Sequence, residues 1–243
     1  MILSYLIADA VTVDYPVMDI SSRSFKKDAL SWVTGGLVGS NSKRHVTVRA
    51  LDNVNLAIHK GEKIGLLGHN GSGKSTFLKV MAQVYWPSLG SFKSSGRVTS
   101  LLDLTLGMEM DATGYENIFL RGAVLGIKPS EIKTVITEIA EFSGLGDYLR
   151  LPIRTYSSGM LVRLGFSIST AFPADIILMD EWLGVGDAQF QEVANQRLRE
   201  MTANASILVL ASHSADLINQ NCDRCVRLEH GKIVDDFMVA SRH

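Results

Sequence analysis

No apolar run in the sequence approaches the length needed to cross a bilayer. The longest, such as Ile176–Met179 and Ser206–Ser212, are strand-length, against the ~20 residues a spanning helix requires. The chain is therefore read as soluble. An excess of charge of either sign is also missing: 24 Lys+Arg stand against 25 Asp+Glu, a formal charge of -1. That balance gives no electrostatic reason to expect a polyanion and disfavours nucleic acid as a partner. The N-terminus, MILSYLIADAVTVDYP, has no basic leader and places Asp9 and Asp14 where an apolar signal core would continue, so a cytoplasmic address is expected. Cysteine is scarce. Cys222 and Cys225 form a lone C-x-x-C, and two ligands cannot close a four-coordinate zinc site. The pair is read as structural, beside the strand-like V-R-L-E-H-G. Internal repeats, low-complexity tracts and heptads are absent too, which argues against solenoids and coiled-coil insertions.

What is there is a chain of 243 residues, enough for one large domain or two small ones. Alternating or apolar runs at Leu6–Val13, His45–Leu51, Leu56–Ile58, Lys63–Leu67 and Arg97–Leu104 predict a strand-rich first part. From Gly114 to Phe142 the apolar spacing turns helical, and Pro129-Ser130 predicts a fresh helix start. Ile176–Met179 and Ile207–Leu210 are fully apolar, as parallel strands covered on both faces are. A helix expected over Phe190–Met201 makes them a β-α-β unit. Between Pro16 and Lys43 lie about two dozen Ser- and Gly-rich residues, long for a loop. There Phe25, Ala29, Leu30, Val33 and Leu37 fall near helical spacing, with Trp32 beside them and Lys26 and Lys27 at the polar edge. This suggests a short amphipathic helix that docks on a membrane, on a partner or on its own domain.

Gly68-His-Asn-Gly-Ser-Gly-Lys-Ser75 satisfies G-x-x-x-x-G-K-[ST], with an apolar strand before it and a helix expected over Thr76–Gln83 after it. Gly68, Asn70, Gly71, Ser72 and Gly73 let successive backbone N–H groups turn inward around phosphates, at the positive end of the helix that Thr76 begins. Lys74 is expected on the β- and γ-phosphates and Ser75 on Mg²⁺. A second half of such a site follows. Ile176-Ile-Leu-Met-Asp180-Glu181 ends a buried strand in two carboxylates, Asp180 for the Mg²⁺ shell and Glu181 to polarise the attacking water. Adjacent residues on an extended strand face opposite ways, so the two are expected to have distinct tasks.

Tyr156-Ser-Ser-Gly-Met160 begins a helix whose free N–H groups and hydroxyl make an anion site. Read alone it is a plain N-cap. With Arg163 after it, and lying between the phosphate loop and the Asp-Glu strand, it resembles the signature sequence of ATP-binding cassettes. There a Ser and a Gly, here among Ser157, Ser158 and Gly159, grip the γ-phosphate held by the other protomer. Further resemblances fall in the family's order: Tyr15 to the aromatic that stacks on adenine, Asp187 in Gly184-Val-Gly-Asp187 to the D-loop, and His213 to the switch histidine. His213 stands directly after a core strand, at the carboxyl edge where ligands bind. The family's glutamine is missing from Ser100-Leu-Leu-Asp-Leu-Thr-Leu-Gly107; either Asp103 replaces it as a metal or water contact, or Leu104 occupies its place.

The resemblance runs from Tyr15 to Asp235 and implies an α/β fold: a phosphate-loop (RecA-like) parallel core sheet, an N-terminal antiparallel β-subdomain and an inserted α-helical subdomain. One domain over 1–243 is expected, with β-subdomain and core at about 1–106 and 166–243 and the helical subdomain at about 107–165. The segment after Tyr15, L-L-D-L-T-L-G, T-Y-S-S-G-M-L-V-R-L and M-D-E-W-L-G-V-G-D together look like the ATPase subunits of bacterial polysaccharide exporters, the O-antigen, capsule and teichoic-acid group. That branch implies ATP and Mg²⁺ as cofactors, a homodimer and a transmembrane permease that handles most of the lipid-linked glycan. It also implies a peripheral place on the cytoplasmic face of the inner membrane. Because the chain ends at His243, soon after a strand at Lys232–Val234, no further glycan-recognition domain is expected. The competing reading, a soluble cassette ATPase, usually comes with two cassettes or a coiled coil, and neither pattern is present.

Overall fold

The structure, a computed structural model, describes residues 3–17, 38–41, 45–181 and 188–239. The amphipathic stretch expected over Phe25–Leu37 and the D-loop candidate Asp187 lie outside them. Two compact units are found, one of Met1–Gly96, Leu178–Trp182 and Ser206–His243, the other of Arg97–Ile177 and Leu183–Ala205. The division falls at residues 96 and 177, whereas the expected subdomain limits were about 106 and 166.

The first unit holds two sheets. In one, β1 (Tyr5–Val17) lies between β3 (His45–His59) and β5 (Leu89–Ser95), all antiparallel, with β2 (Val38–Asn41) on the outer side of β3. Alternation sends Leu6, Ala8, Leu56 and Ile58 inward, as a sheet with one dry face requires. The sequence pattern read β3 as two strands because Asp52-Asn53 interrupts the alternation. The register does shift near there, and Asn53 takes a φ of +54° opposite Ala10 at +49°. Side chains satisfy the backbone left unpaired by this bulge: Ala10 N–H donates to Asn55 Oδ1 at 2.8 Å and Asn53 N–H to Thr12 Oγ1 at 3.1 Å. β5 was not expected at all; its residues are largely exposed, so no apolar pattern marks it.

The second sheet of this unit runs in the order β10-β9-β4-β8-β7. β4 (Lys63–Leu67) is parallel to β8 (Ile207–Ser212) and to β9 (Arg224–Glu229), and β10 (Lys232–Met238) returns antiparallel on the outside. Every residue of β8 is buried. β7 (Ile176–Asp180) contributes its last residues here. Helix α1 (Lys74–Met81) follows β4, as read from the sequence but two residues earlier.

The second unit is mainly helical: α2 (Gly114–Val124), α3 (Pro129–Ser143), α4 (Ser158–Thr170) and α5 (Ala188–Asn204). A capping box of Thr113 and Glu116 starts α2, and Pro129 sits in the first turn of α3, where its missing N–H costs nothing. Ile118, Ile132, Ile139, Leu149, Ile153, Leu164 and Ile168 form one buried cluster. Truncating any of these to alanine would cost about 2–5 kcal/mol. Only Val98–Ser100, strand β6, is extended in the stretch Arg97–Leu104 that read as a longer strand. Helix α6 (Ala215–Asn221) belongs to the first unit and follows β8.

Candidate functional site

The loop between β4 and α1 is built around a residue that only glycine tolerates. Gly73, the N-cap of α1, has a φ of +109°, and a Cβ on it would lie 2.8 Å from the Ala50 carbonyl. Lys74 is 6% exposed, and its ammonium donates to the carbonyls of Gly68 at 2.6 Å and His69 at 3.1 Å. Burial lowers its pKa from the usual lysine value, against the pull of the Asp180 and Glu181 carboxylates. Ser72 Oγ is buried with no hydrogen-bond partner among the described residues. A loop that combines a left-handed cap, an inward lysine and an orphan hydroxyl is suited to an anion at the start of α1.

Asp180 ends β7 and Glu181 follows it, each with separate partners. Ser75 Oγ donates to Asp180 Oδ2 at 2.5 Å. Glu181 Oε2 accepts from Ser212 Oγ at 2.8 Å, while Oε1 accepts from the His213 N–H at 3.0 Å and lies 2.7 Å from His213 Nδ1. Strand alternation is not what separates the two carboxylates. Glu181 has left the strand, with a φ of +64°, and its N–H donates to the Ala211 carbonyl at 2.8 Å. Burial raises the Glu181 pKa, but the hydrogen bonds from Ser212 and His213 outweigh it and leave it below the usual glutamate value. The group is thus a carboxylate at neutral pH. Ser212 was missed in the sequence; its place at the carboxyl end of a buried strand, beside His213, was the available signal.

Tyr15 lies in β1. Its hydroxyl donates to Thr76 Oγ1 at 3.4 Å, and its ring meets Tyr85 edge-on at 5.6 Å between centroids, so Thr76 links the aromatic to the first turn of α1. Burial raises the Tyr15 pKa. Thus Tyr15, the Gly68–Thr76 loop, Asp180, Glu181 and His213 all belong to the first unit.

The second unit carries the remaining candidates. Ser157 caps α4, its Oγ accepting from Met160 N–H at 3.3 Å, and Ser157 and Ser158 are exposed. Gly159 has no neighbour nearer than Ser157 Oγ to where a Cβ would be. Tyr156 is different: it is a core residue whose hydroxyl donates to the Tyr148 carbonyl at 2.6 Å, and burial pushes its pKa up to about 12. Asp103 Oδ1 accepts from Thr105 N–H at 2.9 Å and Thr105 Oγ1 at 2.8 Å. Burial works against the charge, yet these bonds and the nearby Arg121 hold its pKa below the usual aspartate value. Leu104 is buried. Arg121, 2% exposed, donates to the carbonyls of Leu106 at 2.6 Å and Asp103 at 3.2 Å and to Ser169 Oγ at 2.9 Å. One turn earlier, Asn117 donates to the carbonyls of Glu109, Ala112 and Thr113 and accepts from the Glu109 N–H.

Among the described residues no group of three His, Cys, Asp or Glu side chains is placed to hold a metal. Ser75 and Asp180 offer two hard oxygen donors, a set that fits Mg²⁺ bound mainly through substrate phosphates and water.

A phosphate-binding loop followed by a strand ending in paired carboxylates defines a nucleotide-hydrolysing class, and comparison narrows it. The sequence model of the family described as ABC transporter matches residues 51–184. The chain is similar to the O-antigen export system ATP-binding protein RfbE of Yersinia enterocolitica, 43% identical over 97% of this chain and 99% of that protein. It is also similar to the teichoic acids export ATP-binding protein TagH of Listeria innocua, 40% identical over 82% of this chain and 59% of that one. Its fold matches the dimeric ATP-binding cassette MJ0796 solved in a post-hydrolysis state with ADP and Pi, with a TM-score of 0.68 at 18% identity, covering 98% of this chain and all of that one. The chain belongs to the ABC transporter family, as an ATP-hydrolysing cassette.

Proposed function

We propose that the chain is the ATPase subunit of an exporter that moves a lipid-linked polysaccharide, O-antigen in the first instance, across the bacterial inner membrane. The observation that carries this reading is the end-to-end likeness to RfbE, at 43% identity over 97% of the chain. Teichoic-acid export is the second reading, supported by the likeness to TagH at 40% identity.

In this reading two copies of the chain enclose two ATP molecules. Each nucleotide lies between the Gly68–Thr76 loop of one copy and Ser157, Ser158 and Gly159 of the other; the exposed, capped start of α4 and the dimeric form of the similar cassette support the pairing. Tyr15 packs against the adenine. Lys74 holds the β- and γ-phosphates, and Ser75 and Asp180 bind Mg²⁺. When bound, Mg²⁺ neutralises charge on the phosphate oxygens. Glu181, held as a carboxylate by Ser212 and His213, orients the attacking water and accepts its proton, while His213 faces the γ-phosphate. A transmembrane permease handles the glycan, and the cassette sits peripherally on the cytoplasmic face. In a strain lacking this gene, the wild-type protein restores surface polysaccharide and Lys74→Ala does not. Restoration by Lys74→Ala overturns the reading.

A further inference from the structure

The rear of the phosphate loop is met by a residue that lies outside every motif and outside the matched stretch 51–184. Gly231, in the turn between β9 and β10, donates its N–H to the Ser72 carbonyl at 2.9 Å, and its own carbonyl accepts from Asp52 N–H at 2.9 Å. Its φ is +77°, and a Cβ on it would lie 2.7 Å from the Ala50 carbonyl oxygen and 3.1 Å from Leu51 Cα. Gly73 crowds the same spot: its own Cβ would meet that Ala50 oxygen at 2.8 Å and Gly231 Cα at 3.4 Å. Two glycines and a strand carbonyl therefore meet backbone to backbone, with no room for a side chain between them.

The hydrogen bond has a consequence on the far side of the loop. A trans peptide is planar, so the carbonyl of Ser72 and the N–H of Gly73, which share one peptide unit, point in opposite directions. Among the described residues no peptide bond is cis. Gly231 holds the carbonyl toward the rear, and the Gly73 N–H is thereby turned to the front, where a phosphate meets the start of α1. Were the Ser72–Gly73 unit to flip, a carbonyl oxygen would face the anion in place of a donor.

We propose that Gly231 is a positioning residue for nucleotide binding, acting through the Ser72–Gly73 peptide to aim a donor at the phosphates. The inference rests on the ATP-binding reading above. It is tested on the full chain by titrating ATP and recording both the dissociation constant and the fraction of protein that binds. A residue that served stability alone would reduce the binding fraction and leave the constant unchanged. Gly231→Ala is expected to raise the constant about tenfold or more. Should that variant fail to fold, a semisynthetic chain joined at Cys225, with an ester in place of the His230–Gly231 amide, deletes the N–H and adds no Cβ. The expected loss there is about fivefold, one neutral hydrogen bond. Met238→Ser, on the exposed far end of the same hairpin, keeps the wild-type constant. A constant within twofold of wild type for the ester overturns the proposal and leaves the ATPase reading standing. Failure of the wild-type chain to bind ATP overturns both.

Discussion

Glu181 is held by Ser212: the serine hydroxyl donates to Oε2 at 2.8 Å, and the glutamate has turned out of its strand, with a φ of +64°, to receive it. The same hydroxyl accepts from the Ser214 N–H at 3.0 Å. One buried serine thus ties the carboxylate to the end of β8 and to the turn that carries His213. Ser212→Ala is expected to leave ATP affinity unchanged and to lower turnover about fivefold, the worth of one hydrogen bond. Steady-state kinetics on the transport-competent complex check it, and an unchanged kcat would show that His213 alone suffices to orient Glu181.

Replacing the carboxylate itself separates binding from chemistry. Glu181→Gln keeps the shape and loses the base, so ATP binding persists while turnover falls by at least about 100-fold. Size-exclusion chromatography with ATP should then show an accumulating dimer. Near-normal turnover in this variant would refute the role given to Glu181.

Arg121 is a stability prediction. Arg121→Met removes the buried donor that the carbonyls of Asp103 and Leu106 and the Ser169 hydroxyl share and is expected to cost about 2 kcal/mol in urea unfolding. Arg121→Lys should recover little of it, because a compact ammonium cannot span three acceptors held by a planar fork. Full recovery by lysine would mean that charge, not geometry, is what the site requires.

Tyr156 gives a pH dependence with a definite sign. Its hydroxyl holds its proton up to about 12 in the folded chain, against the ordinary tyrosine value of 10.0. Between those values the unfolded chain has released a proton that the folded chain still binds, so stability falls as the pH rises through that window. Tyr156→Phe removes this part of the decline, at the cost of about 1 kcal/mol near neutrality for the bond to Tyr148. Parallel slopes for the two proteins between pH 10 and 12 would contradict the assignment.

Much of the site was legible because it is local in sequence. The Gly68–Ser75 loop, the Asp180-Glu181 strand end and the capped start at Ser157 each need only a few consecutive residues, and neighbouring periodicity gave their context. What escaped notice depends on contacts between distant segments. Ser212 matters through a residue 31 positions away, and although Tyr15 and Thr76 were each candidates, the bond that joins them spans 61. The alternation argument correctly separated Asp180 from Glu181 but for the wrong reason, since a positive φ cannot be read from a Glu. β5 stayed hidden because its exposed residues carry no period. Arg97–Leu104 read as one strand because the buried Leu101 and Leu104 look like strand residues until Arg121 is known to hold the turn between them.

Asn117 and Arg121 stand one turn apart on α2 and between them bind the backbone from Asp103 to Thr113. The helix works as a ruler for that loop: the two hubs are fixed in spacing by the helical pitch, so the number of residues running past them is fixed as well. Adding or deleting a single residue between Leu106 and Glu109 would pull one hub off its carbonyls. A loop transplanted from a relative therefore has to bring its own α2 with it, and the exchangeable module is the loop and helix together.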